Sequence, residues 1–167
     1  MDKTFNGEYK PFYLRLFKKI SPVILIAFIA VLNVFYGRRS GIFADYKIEF
    51  SVVMAIAATI GFFYHMNRIR TVVTEVQISD SKFKIFGYDF NSKFEDDLDL
   101  SKTFIEVVEE YVGKNNSVYC LEIMCEDKFY YINKSSDWNY QVLIDLINEY
   151  SLKTGKVIPS LGLLKGA

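Results

Sequence analysis

The chain has 167 residues, and its 20 Lys+Arg balance 20 Asp+Glu to a net charge of zero, with 51% hydrophobic residues, one histidine and two cysteines. The balance is uneven: residues 1–70 carry 10 Lys+Arg against 4 Asp+Glu, net +6, and residues 71–155 carry 8 against 16, net −8. An acidic C-terminal half would repel phosphates instead of releasing their counterions, which speaks against nucleic acid and against inositol phosphates.

Residues 1–9 read as loosely ordered. From Pro11, the spacing of Phe12, Leu16 and Ile20 against Arg15, Lys18 and Lys19 predicts a helix with apolar and basic residues on different faces. It suits a segment lying in a membrane interface, or equally the wet first turns of a span. Ser21-Pro22 then restarts or kinks the helix, because proline lacks the N–H that an interior position needs.

Two runs follow that are apolar all round and uncharged, Pro22 to Tyr36 and Phe50 to Tyr64. At about 1.5 Å per residue, roughly 17 residues give about 25 Å, near the short limit for a bilayer core of about 30 Å. The competing reading is a pair of buried core helices, but a chain of this size has little other structure with which to wrap them. Gly37-Arg38-Arg39 is no small-residue cleavage site, which argues against a signal peptide. Two spans are therefore expected, at about residues 20–36 and 50–66. Tyr36 and Phe62-Phe63-Tyr64 lie at their ends, where amphipathic rings favour the headgroup level. Ala57 and Gly61 have the small-xxx-small spacing that lets another helix approach, and Asn33 reads as a helix–helix hydrogen bond.

Lys3, Lys10, Arg15, Lys18 and Lys19 precede the first run, and Arg68 and Arg70 follow the second. The positive-inside bias then places both termini in the cytoplasm, although the loop's Arg38-Arg39 pair runs against it. His65, at the end of the second run, reads as a headgroup contact.

After Arg70 the period changes from helical to alternating. Val72, Thr74, Val76 and Ile78 share one side before a turn at Asp80-Ser81, and Lys82 to Phe86 alternates again. Gly87 and Asn91 are expected to break the chain into a second turn. Phe94, Leu98 and Leu100 then alternate with acids, Phe104 to Val112 continues, and Val118 to Cys125 and Lys128 to Asn133 follow, a meander of about six strands. Cys120 and Cys125, five apart in one strand, point to opposite faces and cannot bridge, which suits a reducing compartment. A helix capped by Ser136 or Asp137, with Trp138, Val142, Leu143, Leu146, Ile147 and Tyr150 as its stripe, closes the domain near Gly155 and covers the open sheet face.

The expected division is an interfacial segment and transmembrane hairpin at 1–70, a β domain with its helix at 71–155, and an apolar tail at 156–167. Gln77 to Ile85, Leu98-Asp99-Leu100-Ser101 leading into Ile105 to Val108, and Tyr130-Tyr131-Ile132-Asn133-Lys134 before the closing helix are similar to the YcxB-like and related bacterial pleckstrin-homology-like membrane proteins. The resemblance covers about Pro22 to Tyr150. It implies a strongly bent antiparallel sheet capped by the last helix, although that fold usually has seven strands, and it carries no shared catalytic residue.

The densest carboxylate group, Glu95-Asp96-Asp97 with Asp99, lacks the glycine and distal glutamate of a calcium loop and reads as a solvated strand face. Lys82 and Lys84 share a face but make a thin anion cradle. No phosphate-binding glycine motif or nucleophile elbow is present. The expectation is an α+β membrane protein of the bacterial inner membrane that is not an enzyme. It has no catalytic, cofactor or metal residues and needs no cofactor. It would be an interaction scaffold presenting a cytoplasmic domain to a protein partner, with the lipid bilayer as its other partner. The alternative is an accessory subunit of a larger transport or secretion complex, with helix–helix association through Ala57 and Gly61.

Overall fold

The computed structural model describes residues 2–36, 47–113, 116–133, 137–158 and 162, with backbone alone at 33–36, 47, 48, 50, 111–113 and 116. The described residues form an α+β chain of two antiparallel sheets and three helices. They fall into two compact units, one made of Met1–Pro11 with Arg70–Ala167, the other of Phe12–Ile69.

The second unit is a pair of helices, α1 (Phe12–Tyr36) and α2 (Lys47–Ile69). α1 runs without interruption through Pro22, so of the expected restart or kink the restart does not occur; proline there removes one backbone donor and crowds the carbonyl one turn before it. The helices pack antiparallel: the early part of α1 (Ile20, Val23, Ile24) faces the late part of α2 (Ala58, Phe62, His65) across one crevice. Arg15, 3% exposed and with its guanidinium 5.8 Å from the Phe12 ring, donates to the carbonyl of Ile69 at 2.5 Å. A cation there satisfies an orphan carbonyl and complements the negative end of the α2 dipole. Arg15 is thus a structural cap, not one more cation of an exposed basic face.

Apart from that contact, the pair keeps its hydrophobic side chains outside. Ile24, Ile26 and Phe28 of α1 and Val53, Ile56 and Ile60 of α2 are all more than half exposed. Among the described residues one stretch, Ser51–Ile69, is long and apolar enough to cross a membrane, with 19 residues, a mean hydropathy of 1.3 and only 6% of it buried. α1 carries Arg15, Lys18 and Lys19 in its first two turns and no charge from Ile20 onward. Most of the expected loop, Arg38 to Tyr46, lies outside the described residues, as do the side chains of Asn33 and Tyr36.

The first unit holds the strands β1 (Lys3–Asn6), β2 (Thr71–Ile78), β3 (Lys82–Asp89), β4 (Ser92–Asp99), β5 (Thr103–Gly113), β6 (Asn116–Cys125) and β7 (Lys128–Ile132), and the helix α3 (Tyr140–Thr154). The order is β1-β2-β3-β4 in one sheet and β5-β6-β7 in the other. β1 corrects the expectation of a loose N-terminus: Phe5 opposes Val76 and is 8% exposed. The six strands expected after the helices are present as β2 to β7, and the seventh comes from upstream of them.

One core draws on both sheets and on α3, with Val76, Ile78, Phe83, Ile85, Leu121, Ile123 and Ile132 meeting Leu143, Leu146, Ile147 and Tyr150. Each of these is essentially inaccessible. Cys125 joins this core while Cys120 falls on the other face beside Glu110, as the five-residue spacing requires, and neither is in a disulfide.

Simple alternation is broken in β2. Val72 and Val73 are both buried because β2 is bulged between Val73 and Glu75. At the bulge the Val73 carbonyl is taken by Trp138 Nε1–H at 2.9 Å, while Gly7 N–H, one step beyond Asn6 in the β1–β2 register, bonds Thr74 O at 2.8 Å. Gly87 lies inside β3 and does not break it, since an added Cβ there would stand 2.3 Å from Val72 O and 2.6 Å from the Phe94 ring. Trp138 precedes α3, which is capped by Asn139 accepting from Gln141 N–H at 2.8 Å; Asp137 lies outside the cap, and Ser136 outside the described residues. The C-terminal end matches expectation, with Gly155 in the left-handed region at φ 69° and its N–H on Ser151 O. Of the tail, Ile158 is buried in the core, and the residues beyond it, Gly162 apart, lie outside the described set.

Candidate functional site

The acidic run of β4 splits by strand parity. Glu95 and Asp97 point outward and face β3, where Lys84 binds both at 3.2 Å and Lys82 binds Asp97 at 3.1 Å. Asp97 and then Glu95 hold the Lys84 ammonium above its ordinary range, and Lys82 and Lys84 hold the Asp97 carboxyl below its own. Asp99 is held low by the hydroxyl and backbone N–H of Ser101, at 2.6 and 2.9 Å. These contacts make the outer face a neutralised cross-strand ladder, and they engage the two lysines that an anion would need.

Asp96 points the other way. It opposes Ile85 on the inner side of the sheet and receives the Lys128 ammonium and the Tyr130 hydroxyl (2.6 Å), both from β7. Burial works to raise its carboxyl, and the bonds from Lys128 and Tyr130 outweigh that and leave it lowered. Burial first and the bond to Asp96 second push the Tyr130 phenol far up, so it stays a donor at any physiological pH. With Phe94 stacked on Tyr130 at 6.1 Å, this group ties the two sheets together. The carboxylate is engaged by both donors, one on each oxygen.

Three concave places stand out among the described residues. In the helical unit a crevice of about 240 Å³ is lined by Ile20, Val23, Ile24, Ala58, Thr59, Gly61, Phe62 and His65. His65 Nδ1 is shielded and has no hydrogen-bond partner among the described residues, its ring lies edge-on to Tyr64 at 5.4 Å, and the Thr59 hydroxyl is turned back to Ala55 O. A Cβ added at Gly61, which lines this crevice, meets nothing within 4 Å, and Ala57 one turn earlier is exposed.

At the end of α3 a cleft of about 470 Å³ runs between Asp80, Ser81, Asp99, Leu100, Ser101, Lys153, Thr154 and Lys156. Its cations are engaged. Lys153 pairs with Asp80 at 2.5 Å and depresses that carboxyl, and Lys156 donates to the carbonyls of Ser101 and Thr103 with its ammonium 3.9 Å from the Phe104 ring. The third hollow, about 350 Å³, lies on the four-stranded sheet among Thr74, Glu75, Phe86, Gly87, Tyr88, Lys93, Phe94 and Glu95.

Beside this third hollow is a cluster that sequence patterns did not single out. Tyr9 stacks on Tyr88 with centroids 4.1 Å apart, Arg70 bonds Asp89 at 2.7 Å with its guanidinium 5.7 Å from the Phe90 ring, and Phe90 N–H donates to Arg70 O at 2.9 Å. Phe90 holds φ at 55°, the left-handed region that a tight turn demands and a bulky side chain resists. The available signal was aromatic density at a turn, Phe86-Gly87-Tyr88-Asp89-Phe90, but Tyr9 and Arg70 reach it only through the fold.

No family model, curated protein or solved structure matches the chain.

Proposed function

We propose that the chain is a non-enzymatic scaffold: a two-span hairpin of α1 and α2 holds it in a bacterial cytoplasmic membrane, and a pleckstrin-homology-like module presents its surface to a protein partner in the cytoplasm. The observation that carries this reading is the pairing of β1 with β2. These strands flank the helices in sequence and are neighbours in one sheet, so they lie on one side of any bilayer, and the chain between them crosses it an even number of times. Zero crossings would leave the exposed faces of both helices in water, far beyond the patch of a few hundred Å² that a soluble monomer tolerates. Two crossings remove that cost.

Lys3, Lys10, Arg15, Lys18 and Lys19 before the uncharged stretch of α1, with Arg68 and Arg70 at and just past the end of α2, outnumber Arg38, Arg39 and Lys47 between the two stretches and favour the cytoplasmic side for the module, and two cysteines outside any disulfide fit a reducing compartment. Four strands, then three, then a closing helix around one core support the pleckstrin-homology-like layout, with β1 supplying the strand that the count of six lacked. The bacterial placement rests on the resemblance alone.

Membranes washed with carbonate should retain the chain, and detergent should release it. A protease added to inverted vesicles should digest the module and, added to spheroplasts, should spare it. Recovery of the chain in solution without detergent overturns the anchor, and digestion in spheroplasts overturns the orientation. Replacing Asp97 and Asp99 together by Asn should leave the cellular phenotype intact; loss of it would overturn the non-enzymatic reading of the ladder.

A second reading, an accessory subunit of a larger membrane transport or secretion complex, is supported by the small residues Ala57 and Gly61, where a helix from another chain could approach closely. Size in mild detergent separates the two readings. Migration with a larger assembly that Gly61→Leu disrupts supports the subunit, and a free monomer unaffected by that change supports the scaffold.

A further inference from the structure

We propose that the corner built from Tyr9, Arg70, Tyr88, Phe90 and Lys93 is a second membrane contact, which seats the β-rich unit on the phospholipid headgroup layer of the bilayer in which its helices are anchored. The inference rests on the hairpin being membrane-spanning and adds to it a docked, not freely tethered, module.

Continuity of the chain carries the argument. Arg70 directly follows Ile69, the last residue of α2, and Phe90 is one hydrogen bond from Arg70. Tyr9 stands three residues before Phe12, where α1 begins, and stacks on Tyr88. Three residues span at most about 10 Å of extended chain, and a headgroup layer is roughly 5–8 Å thick on each side of the hydrocarbon. Both exits from the sheet to the helices therefore leave from this corner, Arg70 directly at the end of α2 and Tyr9 three residues before α1.

The composition suits the same place. Aromatic rings with polar rims and cations on aliphatic stems are the residue types that gather at the headgroup level. Tyr9 and Phe90 are exposed at 40% and 37%, less than Phe104 and Phe129 elsewhere in the unit, so it is their place at the two exits and not their exposure that distinguishes them. Lys10, Arg70 and Lys93 put cations on aliphatic stems at the corner, Lys10 beside Glu8 and Arg70 bonded to Asp89, with Glu75 and Glu95 lining the adjoining hollow. In the helical unit, Tyr13 and Phe17 at the start of α1 and Phe63 and Tyr64 near the end of α2 are exposed aromatics close in sequence to the same two exits. The left-handed φ of Phe90 fits a ring held outward at a cost that the turn alone does not explain, since Asn or Gly would adopt that conformation more easily.

The test places a tryptophan at the corner of the full chain, reconstituted in phosphatidylcholine–phosphatidylglycerol nanodiscs with or without nitroxide-headgroup phosphatidylcholine. The native Trp138 is buried and reports folding. The emission added by F90W should be quenched by the nitroxide lipid. The emission added by F104W should not, because Phe104 adjoins Leu100 and Ser81, at the opposite end of β2 and β3 from Arg70 and Phe90. Where F90W disturbs the turn, shown by a shift in Trp138 emission, Y9W replaces it. Equal emission with and without nitroxide for the corner variant, in protein that co-migrates with nanodiscs, overturns the docking while leaving the anchor intact; quenching at both corner and control overturns the assignment to this corner. Failure to co-migrate overturns the anchor, and the docking with it.

Discussion

At the scale of single residues the module depends on a few contacts with no slack. A Cβ at Gly7 would stand 2.4 Å from Trp138 Nε1, and that ring cannot swing aside without breaking its bond to the Val73 carbonyl left exposed by the β2 bulge. Gly7→Ala should cost about 1–3 kcal/mol by overpacking. Trp138→Leu should cost a similar amount by leaving the carbonyl unpaired, and the pair together should cost less than the sum, because the smaller side chain makes room for the methyl. Urea melts of the four species give the coupling energy.

The pH dependence also belongs to named side chains. Asp80, Asp96, Asp97 and Asp99 all have carboxyls held below the ordinary value. A group depressed on folding stabilises fully above its unfolded pKa of about 3.9 and loses that contribution as pH falls through the folded value. Stability should therefore be level through neutral pH and fall below about pH 4. Tyr130→Phe removes one donor from Asp96, so it should lower stability at pH 7 by roughly 1 kcal/mol and move the acid limb upward. Denaturant midpoints taken across the acid range check both. A limb that stays in place would show that Lys128 alone holds the carboxyl down.

Among the elements, those with local signals could be read from the sequence and those completed at a distance could not. The β2–β3 hairpin, β4 to β7 and the stripe of α3 follow from period-two and helical spacing over a few residues, and the Gly155 stop follows from its need for positive φ. β1 has four residues, one apolar anchor and a partner beyond two helices, so neither its length nor its neighbours announce it. Gly87 reads as a breaker because the ring of Phe94 that occupies its missing side chain comes from the next strand. The alternation of the acidic run of β4 was legible, but its division into an outer lysine ladder and an inner Asp96–Tyr130 tie needed the second sheet. The aromatic corner was out of reach, since Tyr9, Arg70 and Phe90 come from three separate segments. The role of Arg15 was equally hidden, because its partner is the far end of another helix. Arg15→Gln should loosen the antiparallel pair by about 1 kcal/mol, the worth of a charge at a helix C-terminus. The fraction of helix lost during SDS titration of the detergent-solubilised protein measures it; an unchanged midpoint would reduce the Ile69 contact to an incidental one.

The whole molecule is a β-rich unit interrupted by a helical insertion, and this predicts where it can be cut. Residues 2–11 and 70 onward belong to one unit, and the two ends facing the insertion meet at a single corner, with Tyr9 on Tyr88 and Arg70 bonded to Phe90. Replacing residues 12–69 by a short Gly/Ser linker should therefore give a soluble, cooperatively folding chain. Loop closure changes by only about 0.6 kcal/mol for each halving of length, and no strand of either sheet is lost. Starting the chain at Arg70 instead removes β1. That bares the β2 edge, removes Phe5 from the core, breaks the Lys3–Glu149 ion pair and leaves Trp138 without Gly7 beneath it. Loss of the buried Phe5 ring alone is worth about 3 kcal/mol, a large share of the roughly 5–15 kcal/mol that holds a domain of ordinary stability. The shorter chain should then unfold at markedly lower urea or aggregate through the open edge, and the linked chain should do neither. Equal stability of the two would show that β1 is a passenger on the sheet, and the argument for an even number of membrane crossings would lose its footing.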